Sequence, residues 1–249
     1  MSFQKTDKEV DVMKTSGKIA AEALKKVLKN VREGITLREL DSIAEKEIRS
    51  RGATPSFMTV DDYKWTICAT VNEAVVHGIP GDRKLKDGDI LGVDIGALYK
   101  GYHSDLAITV PVGKVTESTQ KFLKIGAQVL NNAIKQAKVG NKIGDISQTI
   151  QKGIESQSYS IVKSLTGHGV GRSLHENPMV PGFGKAQTGP TLKQNMTIAI
   201  EVIYAQGSGE VELESDNWTI TTKDKSLGGL FEQTVLLDKD GPIVLTPYL

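Results

Sequence analysis

The order of predicted elements repeats along the chain, and this repeat is the strongest constraint on its fold. Apolar residues at helical spacing predict two helices and then strands, twice over: helices over about 6–31, 36–51, 117–137 and 143–156, with strand-rich stretches over about 66–112 and from about 161 onward. Residues 34–40 align with 140–146 at an offset of 106, and residues 93–94 align with 200–201 at an offset of 107. Two similar halves are therefore expected.

The repeat predicts one α+β domain over residues 1–249, with pseudo-symmetric halves of about 1–113 and 114–249. Thr6 with Glu9, and Thr36 with Glu39, have the spacing of capping boxes that begin the first two helices. No linker-like segment separates the halves. The strands are expected to form one curved, mainly antiparallel sheet covered by two helix pairs, with a pseudo-twofold relation between them.

Composition excludes several classes of protein. The formal net charge of +1, without a long block of one sign, gives no support to nucleic acid or an anionic membrane as a partner. Cys68 is the only cysteine, so no internal disulfide can form and a reducing compartment is favoured. The first residues do not resemble a signal peptide, and no apolar run approaches the ~20 residues that span a bilayer. A cytoplasmic protein is expected.

Single acids interrupt otherwise apolar strands, and these acids are the most informative residues. Asp94 and Asp105 belong to two strands joined as a hairpin, so they can lie close together. The second half repeats the arrangement with Glu201 and Glu232. One buried carboxylate is most often paired with lysine or arginine. Four in repeat-related positions, with few cations in the same strands, favour divalent metal ions as the compensating charge.

The four histidines divide into two groups. Glycines on both sides of His168 allow the backbone to approach a site closely, and the spacing to His175 allows both imidazoles to face one cavity. His103, placed at the hairpin turn, is expected to be exposed and without a function. Competing motifs are absent: His175 does not begin a His-Glu-x-x-His zinc helix, Arg172 replaces the third glycine of a dinucleotide fingerprint, and no Gly-x-Ser-x-Gly elbow occurs.

Taken together, these motifs resemble the methionine aminopeptidase family over nearly the whole chain. Residues 71–80, which contain His77, look like the family's first histidine motif, and residues 167–178 look like its second. The spacing of 11 between Asp94 and Asp105 is kept, and Glu201, residues 216–219 and residues 231–234 follow in order. The resemblance implies the pita-bread fold. Without room for the helical insert of type II, the chain is most similar to type I.

The resemblance also implies the site and its chemistry. A pair of divalent ions would be held by five residues, with Asp105 and Glu232 bridging, to activate a water and polarise the scissile carbonyl. Glu201 would also accept a proton from the water, His175 would stabilise the oxyanion, and His77 would contact the substrate amide. The implied ligands are Asp94, Asp105, His168, Glu201 and Glu232. The sequence does not choose among cobalt, manganese, iron and zinc.

The methionine pocket implied by the resemblance contains Tyr63, Cys68, Leu174 and Trp218, beside His77 and His175. Trp218 has ordinary packing as its alternative role. This sequence departs from the common family pattern at Phe57, Val60 and Leu174, and Gln233 follows the last ligand where histidine is frequent. Most of these exchanges are apolar for apolar, so a pocket of methionine size is still expected.

The expected activity is removal of the initiator methionine from nascent polypeptide N-termini, at the ribosome, when the second residue is small. The protein is expected to be a monomer, and Ser2 would make it its own substrate. Two alternatives stay open. One is an aminopeptidase of the same fold that cleaves before proline, although that group usually carries an extra N-terminal domain. The other is a non-catalytic peptide-binding protein, which generally lacks one or more metal ligands.

Overall fold

The computed structural model describes residues 3–248, so the prediction about Ser2 lies outside the described residues. Within this range the α-helices are α1 (Asp7–Leu28), α2 (Leu37–Ser50), α3 (Glu117–Ile134) and α4 (Ile143–Glu155), with a short 3-10 helix at Phe57–Thr59. The strands are β1 (Thr54–Pro55), β2 (Ile67–Val71), β3 (Ala74–Val76), β4 (Ile90–Tyr99), β5 (Tyr102–Pro111), β6 (Ser160–Ile161), β7 (Thr166–Gly169), β8 (Glu176–Pro181), β9 (Thr197–Ala205), β10 (Val211–Leu213), β11 (Ile220–Thr222), β12 (Gly228–Asp238) and β13 (Gly241–Val244).

Local chemistry explains where the first two helices begin. Thr6 and Thr36 accept hydrogen bonds from the backbone N–H groups of Glu9 and Glu39, whose side chains accept the N–H groups of the two threonines in return. Both predicted capping boxes are therefore confirmed. The sequence predicts that the first helix reaches about residue 31, but α1 ends at Leu28. Val31 has the apolar spacing of the helix because it packs against the same core from the loop that follows.

Nearly all of the long strands belong to one antiparallel sheet. Its main path has the order β1-β4-β5-β12-β9-β7-β8, while β2 pairs with β4, β6 with β9 and β13 with β12. A smaller sheet has the order β10-β11-β3. Strands β5 and β12, one from each half of the chain, meet at the centre of the large sheet.

The two helix pairs cover the same face of the large sheet. Alternate residues of β4, such as Val93 and Ile95, pack with α1 and α2, and alternate residues of β9, such as Ile198 and Ile200, pack with α3 and α4. Since successive side chains of a strand point to opposite faces, Asp94 and Glu201 lie on the face away from the helices. The helices bury the core, and the opposite face is left for the site.

The internal repeat predicted from the sequence is present in the hydrogen bonds. The N–H of Gly34 donates to the carbonyl of Leu85 at 2.8 Å, and the N–H of Gly140 donates to the carbonyl of Leu192 at 2.9 Å. Thr36 and Lys84 form an isolated antiparallel β-bridge, and Lys142 and Thr191 form the corresponding bridge in the second half. The pseudo-twofold α+β fold is thus confirmed. The assignment of residues 1–249 to one catalytic domain, divided near residue 113, stays a prediction.

The expectation that His103 is exposed is wrong, whereas its lack of a function stays a prediction. The hairpin between β4 and β5 turns at Lys100 and Gly101, whose φ angles of 46° and 82° suit a two-residue turn. His103 therefore belongs to β5, opposite Leu98, and only 6% of it is exposed. Its Nδ1 lies 2.8 Å from the Ser56 hydroxyl.

No helix within residues 3–248 has both the length and the apolar composition needed to cross a bilayer.

Candidate active site

Three of the four predicted acids lie in one row across the sheet. Asp94 on β4 is opposite Ala107 on β5, Ala107 is opposite Glu232 on β12, and Glu232 is opposite Glu201 on β9. Residues directly opposite one another in antiparallel strands point to the same face. The three carboxylates therefore project together from the face that the helices leave open.

The remaining predicted ligands join this row from neighbouring positions. Asp105 precedes Ala107 by two residues on β5, so its side chain points to the same face and lies diagonally across from Asp94. On β7, His168 is opposite Ala199, which precedes Glu201 by two residues. Carboxylate oxygens of Asp105 and Glu232 and a ring nitrogen of His168 lie within 4.8 Å of one another.

The orientation of His168 leaves a lone pair free for the site. Its Nδ1 lies 2.8 Å from the carbonyl oxygen of Gly169. Since a carbonyl can only accept, Nδ1 carries the proton and Nε2 is the unprotonated nitrogen. That Nε2 atom lies 3.5 Å from Glu201 Oε1 and 3.9 Å from Asp105 Oδ2. Burial, together with the neighbouring His175, lowers the pKa of His168 to about 4, which favours the neutral ring.

The carboxylates are electrostatically frustrated without a cation. Burial raises the pKa of Asp94 to about 7, although its hydrogen bond with Asp105 acts in the opposite direction. Burial and the neighbouring acids raise the pKa values of Asp105, Glu201 and Glu232 well above the usual range. Within residues 3–248, no lysine or arginine forms an ion pair with any of the four. The salt-bridge alternative considered for a single acid therefore does not apply.

Three oxygen atoms of these acids have no partner. Asp94 Oδ1, Asp105 Oδ1 and Glu232 Oε1 are buried and accept no hydrogen bond. A buried polar atom without a partner costs about 1–3 kcal/mol, and more when it is charged. Carboxylate oxygens together with a neutral imidazole nitrogen are a donor set that suits divalent cations such as manganese, cobalt, iron or zinc. The residues present fit a metal centre.

The acids form the floor of a cavity of about 140 Å³. The histidines His77 and His175 also line it and are exposed to solvent on its open side. The rings of His168 and His175 are 4.4 Å apart in an edge-to-face arrangement. Although both residues keep solvent contact, the protein around each imidazole displaces part of its water and lowers the pKa of His77 and of His175, so each presents a neutral imidazole near pH 7.

An apolar pocket forms one wall of the cavity. Tyr63, Cys68 and Leu174 are buried there. Trp218 packs edge-to-face on Tyr63, with ring centroids 5.0 Å apart, so it both packs and lines the cavity. Phe57 and Val60 complete the same wall. Every residue predicted for the site thus borders one cavity, whereas their individual roles stay predictions.

Two residues that line the cavity were not predicted from the sequence, and one departure from the family pattern, at Gln233, lies outside the cavity. Val76 and Leu230 also line the cavity. Strand alternation carries a signal for Leu230, which precedes Glu232 by two residues and so shares its face. Gln233 is on the opposite face of β12, where its side-chain oxygen accepts a hydrogen bond from the Thr246 hydroxyl at 2.6 Å. Its departure from the family pattern therefore does not alter the cavity lining.

The fold and the site together define a metallopeptidase. The sequence pattern of metallopeptidase family M24 matches residues 11–237, and the chain belongs to that family. It is 41% identical to methionine aminopeptidase 1 of Bacillus subtilis over 99% of both chains, and 42% identical to methionine aminopeptidase of Clostridium perfringens with the same coverage. Within the family, the chain is thus grouped with the methionine aminopeptidases.

Solved structures agree with this grouping. Methionine aminopeptidase from Thermotoga maritima superposes with a TM-score of 0.95 at 38% identity, over 97% of this chain and 98% of that one. Prolidase from Pyrococcus furiosus superposes with a TM-score of 0.80 at 25% identity, but this chain covers only 65% of it. The pita-bread fold implied by the resemblance is therefore confirmed.

Proposed function

We propose that this protein is a metal-dependent methionine aminopeptidase that removes the initiator methionine from nascent polypeptides whose second residue is small. The observation that carries the proposal is the row of acids, joined by His168, on the floor of a cavity with an apolar wall. Family membership and the full-length relatives support the same reaction. Nascent N-termini in the cytoplasm, reached at the ribosome, are the partners expected for a monomeric enzyme of this kind.

Two divalent ions are proposed as the cofactor. Asp94, Asp105, His168, Glu201 and Glu232 would hold them, with Asp105 and Glu232 shared between both. Three unpartnered oxygens from Asp94, Asp105 and Glu232 support this assignment. When bound, such ions supply an activated water and a polarised carbonyl. Their charge would also offset the two effects that raise the pKa values of Asp105, Glu201 and Glu232, which are burial first and then the neighbouring acids.

Glu201 is proposed to accept the proton of the attacking water. Its carboxylate lies beside the imidazole of His168 and opposite Glu232, at one end of the row of acids. A carboxylate in the row of acids is within reach of a water held there, so it is placed to accept the proton of that water. The same group can then return the proton to the departing amine.

The two histidines on the open side are proposed to contact the reacting amide. His175 adjoins His168, so a substrate carbonyl placed over the acids comes within reach of its N–H group. A neutral imidazole can donate to the developing oxyanion. His77 has a φ of 58°, a left-handed backbone conformation that directs its side chain toward the cavity from the end of β3. It is proposed to contact the amide beyond the scissile bond.

The apolar wall is proposed to select methionine. An unbranched thioether suits a pocket lined by the aromatic rings of Tyr63, Phe57 and Trp218, since sulfur makes favourable contacts with ring edges. Cys68 and Leu174 fill the remaining wall. Val76 and His77 also line the cavity and would limit the space left for the second residue, which supports a preference for a small one.

Peptide turnover tests the proposal. The metal-loaded protein is expected to release methionine from Met-Ala-Ser, and to act poorly on Met-Lys-Ser and on Xaa-Pro peptides. Cobalt, manganese, iron and zinc are compared, and metal analysis reports the number of ions bound. Release from the Xaa-Pro peptide alone would favour the prolidase-like alternative. A protein that takes up no metal and cleaves none of the peptides would instead be a peptide-binding relative.

A further inference from the structure

A buried ion pair lies directly behind the loop that presents His175 to the cavity. Lys5 Nζ donates to Glu176 Oε2 at 2.7 Å, and only 2% and 20% of the two side chains are exposed. The Lys5 side chain belongs to the segment before α1, whereas Glu176 follows His175 directly at the start of β8. The pair therefore joins the beginning of the chain to the site, 171 residues away in sequence.

Lys5 is fixed from its backbone as well as from its ammonium group. Its N–H donates to the carbonyl of Asn195 at 2.7 Å. The preceding residue, Gln4, forms an isolated β-bridge with Met196, immediately before β9. Strand β9 carries Glu201. Lys5 thus reaches Glu176 from a backbone anchored to the segment that leads into this strand.

Glu176 in turn holds the loop that carries His175. Its Oε1 accepts the N–H of Ser173 at 3.1 Å, and the backbone of Arg172 donates to the same carboxylate. Gly171 packs so closely on the ion pair that a β-carbon there would lie 2.4 Å from Lys5 Cε. Although burial raises the pKa of Glu176, the bonds from Lys5 and Ser173 lower it below the usual range, so the carboxylate is ionised.

The other tethers of this loop differ in character. Arg172 pairs with Glu9 of α1, but 58% of the Arg172 side chain is exposed, so solvent screens that pair. The N–H of His103 donates to the carbonyl of Gly171 at 2.7 Å and fixes only the beginning of the loop. Next to His175 the backbone of Glu176 pairs with Gly169 of β7, and the buried Lys5–Glu176 ion pair is the side-chain tether at the same place.

We propose that Lys5 is a positioning residue for His175. Its ammonium group holds the Glu176 carboxylate, and that carboxylate keeps residues 171–175 folded. In this fold the ring centroids of His175 and His168 are 4.4 Å apart. The inference rests on the proposed function in one respect, which is that His175 contacts the reacting carbonyl. A displaced imidazole would still allow methionine to enter the pocket and metal to bind, because neither Lys5 nor Glu176 lines the cavity. The loss would fall on turnover.

Four variants test the proposal: Lys5→Met, Glu176→Gln, the double variant and the control Lys14→Met, which removes an exposed pair with Asp11. Lys5→Met is expected to lower kcat for Met-Ala-Ser on the order of 10- to 100-fold, as small displacements of a reacting group do. KM should stay within about twofold and metal affinity should not change. Because both residues act as one unit, the double variant should lose no more than the single ones. Lys14→Met should match the wild type.

Two measurements keep the outcome decisive. The double variant leaves no unpaired buried carboxylate, so it is expected to stay folded even if Lys5→Met does not. The ring resonances of His175, one of four histidines, report its position without any turnover. A folded double variant with wild-type kcat and an unmoved His175 signal would overturn the proposal. If the wild type itself cleaves no peptide while the His175 signal moves in Lys5→Met, the proposed function fails and the positioning role stands.

Discussion

The Thr234 hydroxyl forms two hydrogen bonds with the backbone of Asp105: it accepts the N–H at 2.9 Å and donates to the carbonyl at 2.7 Å. These bonds replace ladder bonds, because β5 and β12 pair only at residues 106–107 and 232–233. A threonine side chain therefore fixes the backbone of a proposed bridging ligand at the centre of the sheet.

Replacement of Thr234 by valine should destabilise the protein and loosen the site. The change preserves shape but leaves the buried N–H and carbonyl of Asp105 without partners, which costs about 1–3 kcal/mol. Urea denaturation measures the free energy of unfolding, and calorimetry measures the loss of metal affinity. Thr149→Val is the matched control, since that hydroxyl bonds to a carbonyl within α4. Equal effects of the two variants would contradict the role given to Thr234.

Asp105→Asn should abolish most activity while leaving the metal-free protein at least as stable as the wild type. Burial and the charges of Asp94 and Glu201 raise the pKa of Asp105, so a neutral amide relieves repulsion in the absence of metal. The variant should lose the thermal stabilisation that metal gives the wild type. Thermal denaturation with and without a chelator measures this. Full activity in Asp105→Asn would refute its bridging position.

The stability of the metal-free protein should fall as pH rises from about 6.5 to 8. Because burial raises the folded-state pKa of Asp94 from 3.8 to about 7, the folded state keeps this proton up to about pH 7. The raised pKa values of Asp105, Glu201 and Glu232 extend the effect above pH 7. Burial lowers the pKa values of His103 and His168 to about 4. Their contribution to stability rises with pH only up to the unfolded histidine value near 6.5, so it does not mask the fall above it.

Denaturant titrations of the metal-free wild type and of Asp94→Asn across this window make the test. The variant should show a shallower decline, because one of the titrating groups is removed. With metal present the slope should reverse, since protons compete with the ions for the ligands. A metal-free protein that becomes more stable up to pH 8 would contradict the raised pKa values.

His175→Ala should lower kcat on the order of 10²-fold, as removal of one oxyanion donor does, and leave metal binding unchanged. His77→Ala should behave similarly, because both side chains line the cavity and neither belongs to the proposed ligand set. Single-turnover kinetics and metal titration measure the two quantities. Loss of a metal ion from either variant would show that the histidine is a ligand instead.

Phe57→Ala should enlarge the pocket and broaden its selectivity. Phe57 is 6% exposed and packs edge-to-face against Tyr63 at 6.5 Å, so truncation opens space at the apolar wall. KM for Met-Ala-Ser is expected to rise, while Phe-Ala-Ser becomes a better substrate relative to it. Comparing kcat/KM for the two peptides measures the change. Unaltered selectivity would place Phe57 outside the methionine subsite.

The sequence contains the fold and much of the site because both depend on local patterns. Capping pairs such as Thr36 with Glu39 mark helix starts, and isolated acids such as Glu201 are conspicuous in apolar strands. The roles of Thr234, Ser56 and Lys5 could not be predicted, because each contacts a partner far away in sequence. The sequence places His103 in the hairpin turn because the segment around it is polar. The turn in fact ends at Gly101, so His103 lies two residues further on, in β5.

The short pairing between β5 and β12 also has a consequence for how the chain opens. Asp94 and Asp105 come from the N-terminal side of this seam, whereas His168, Glu201 and Glu232 come from the other side. Cations held by all five would cross-link the two sides where their backbones share two opposite residue pairs. Chelation should therefore accelerate amide hydrogen exchange first along residues 105–109 and 230–234, well before the helices respond.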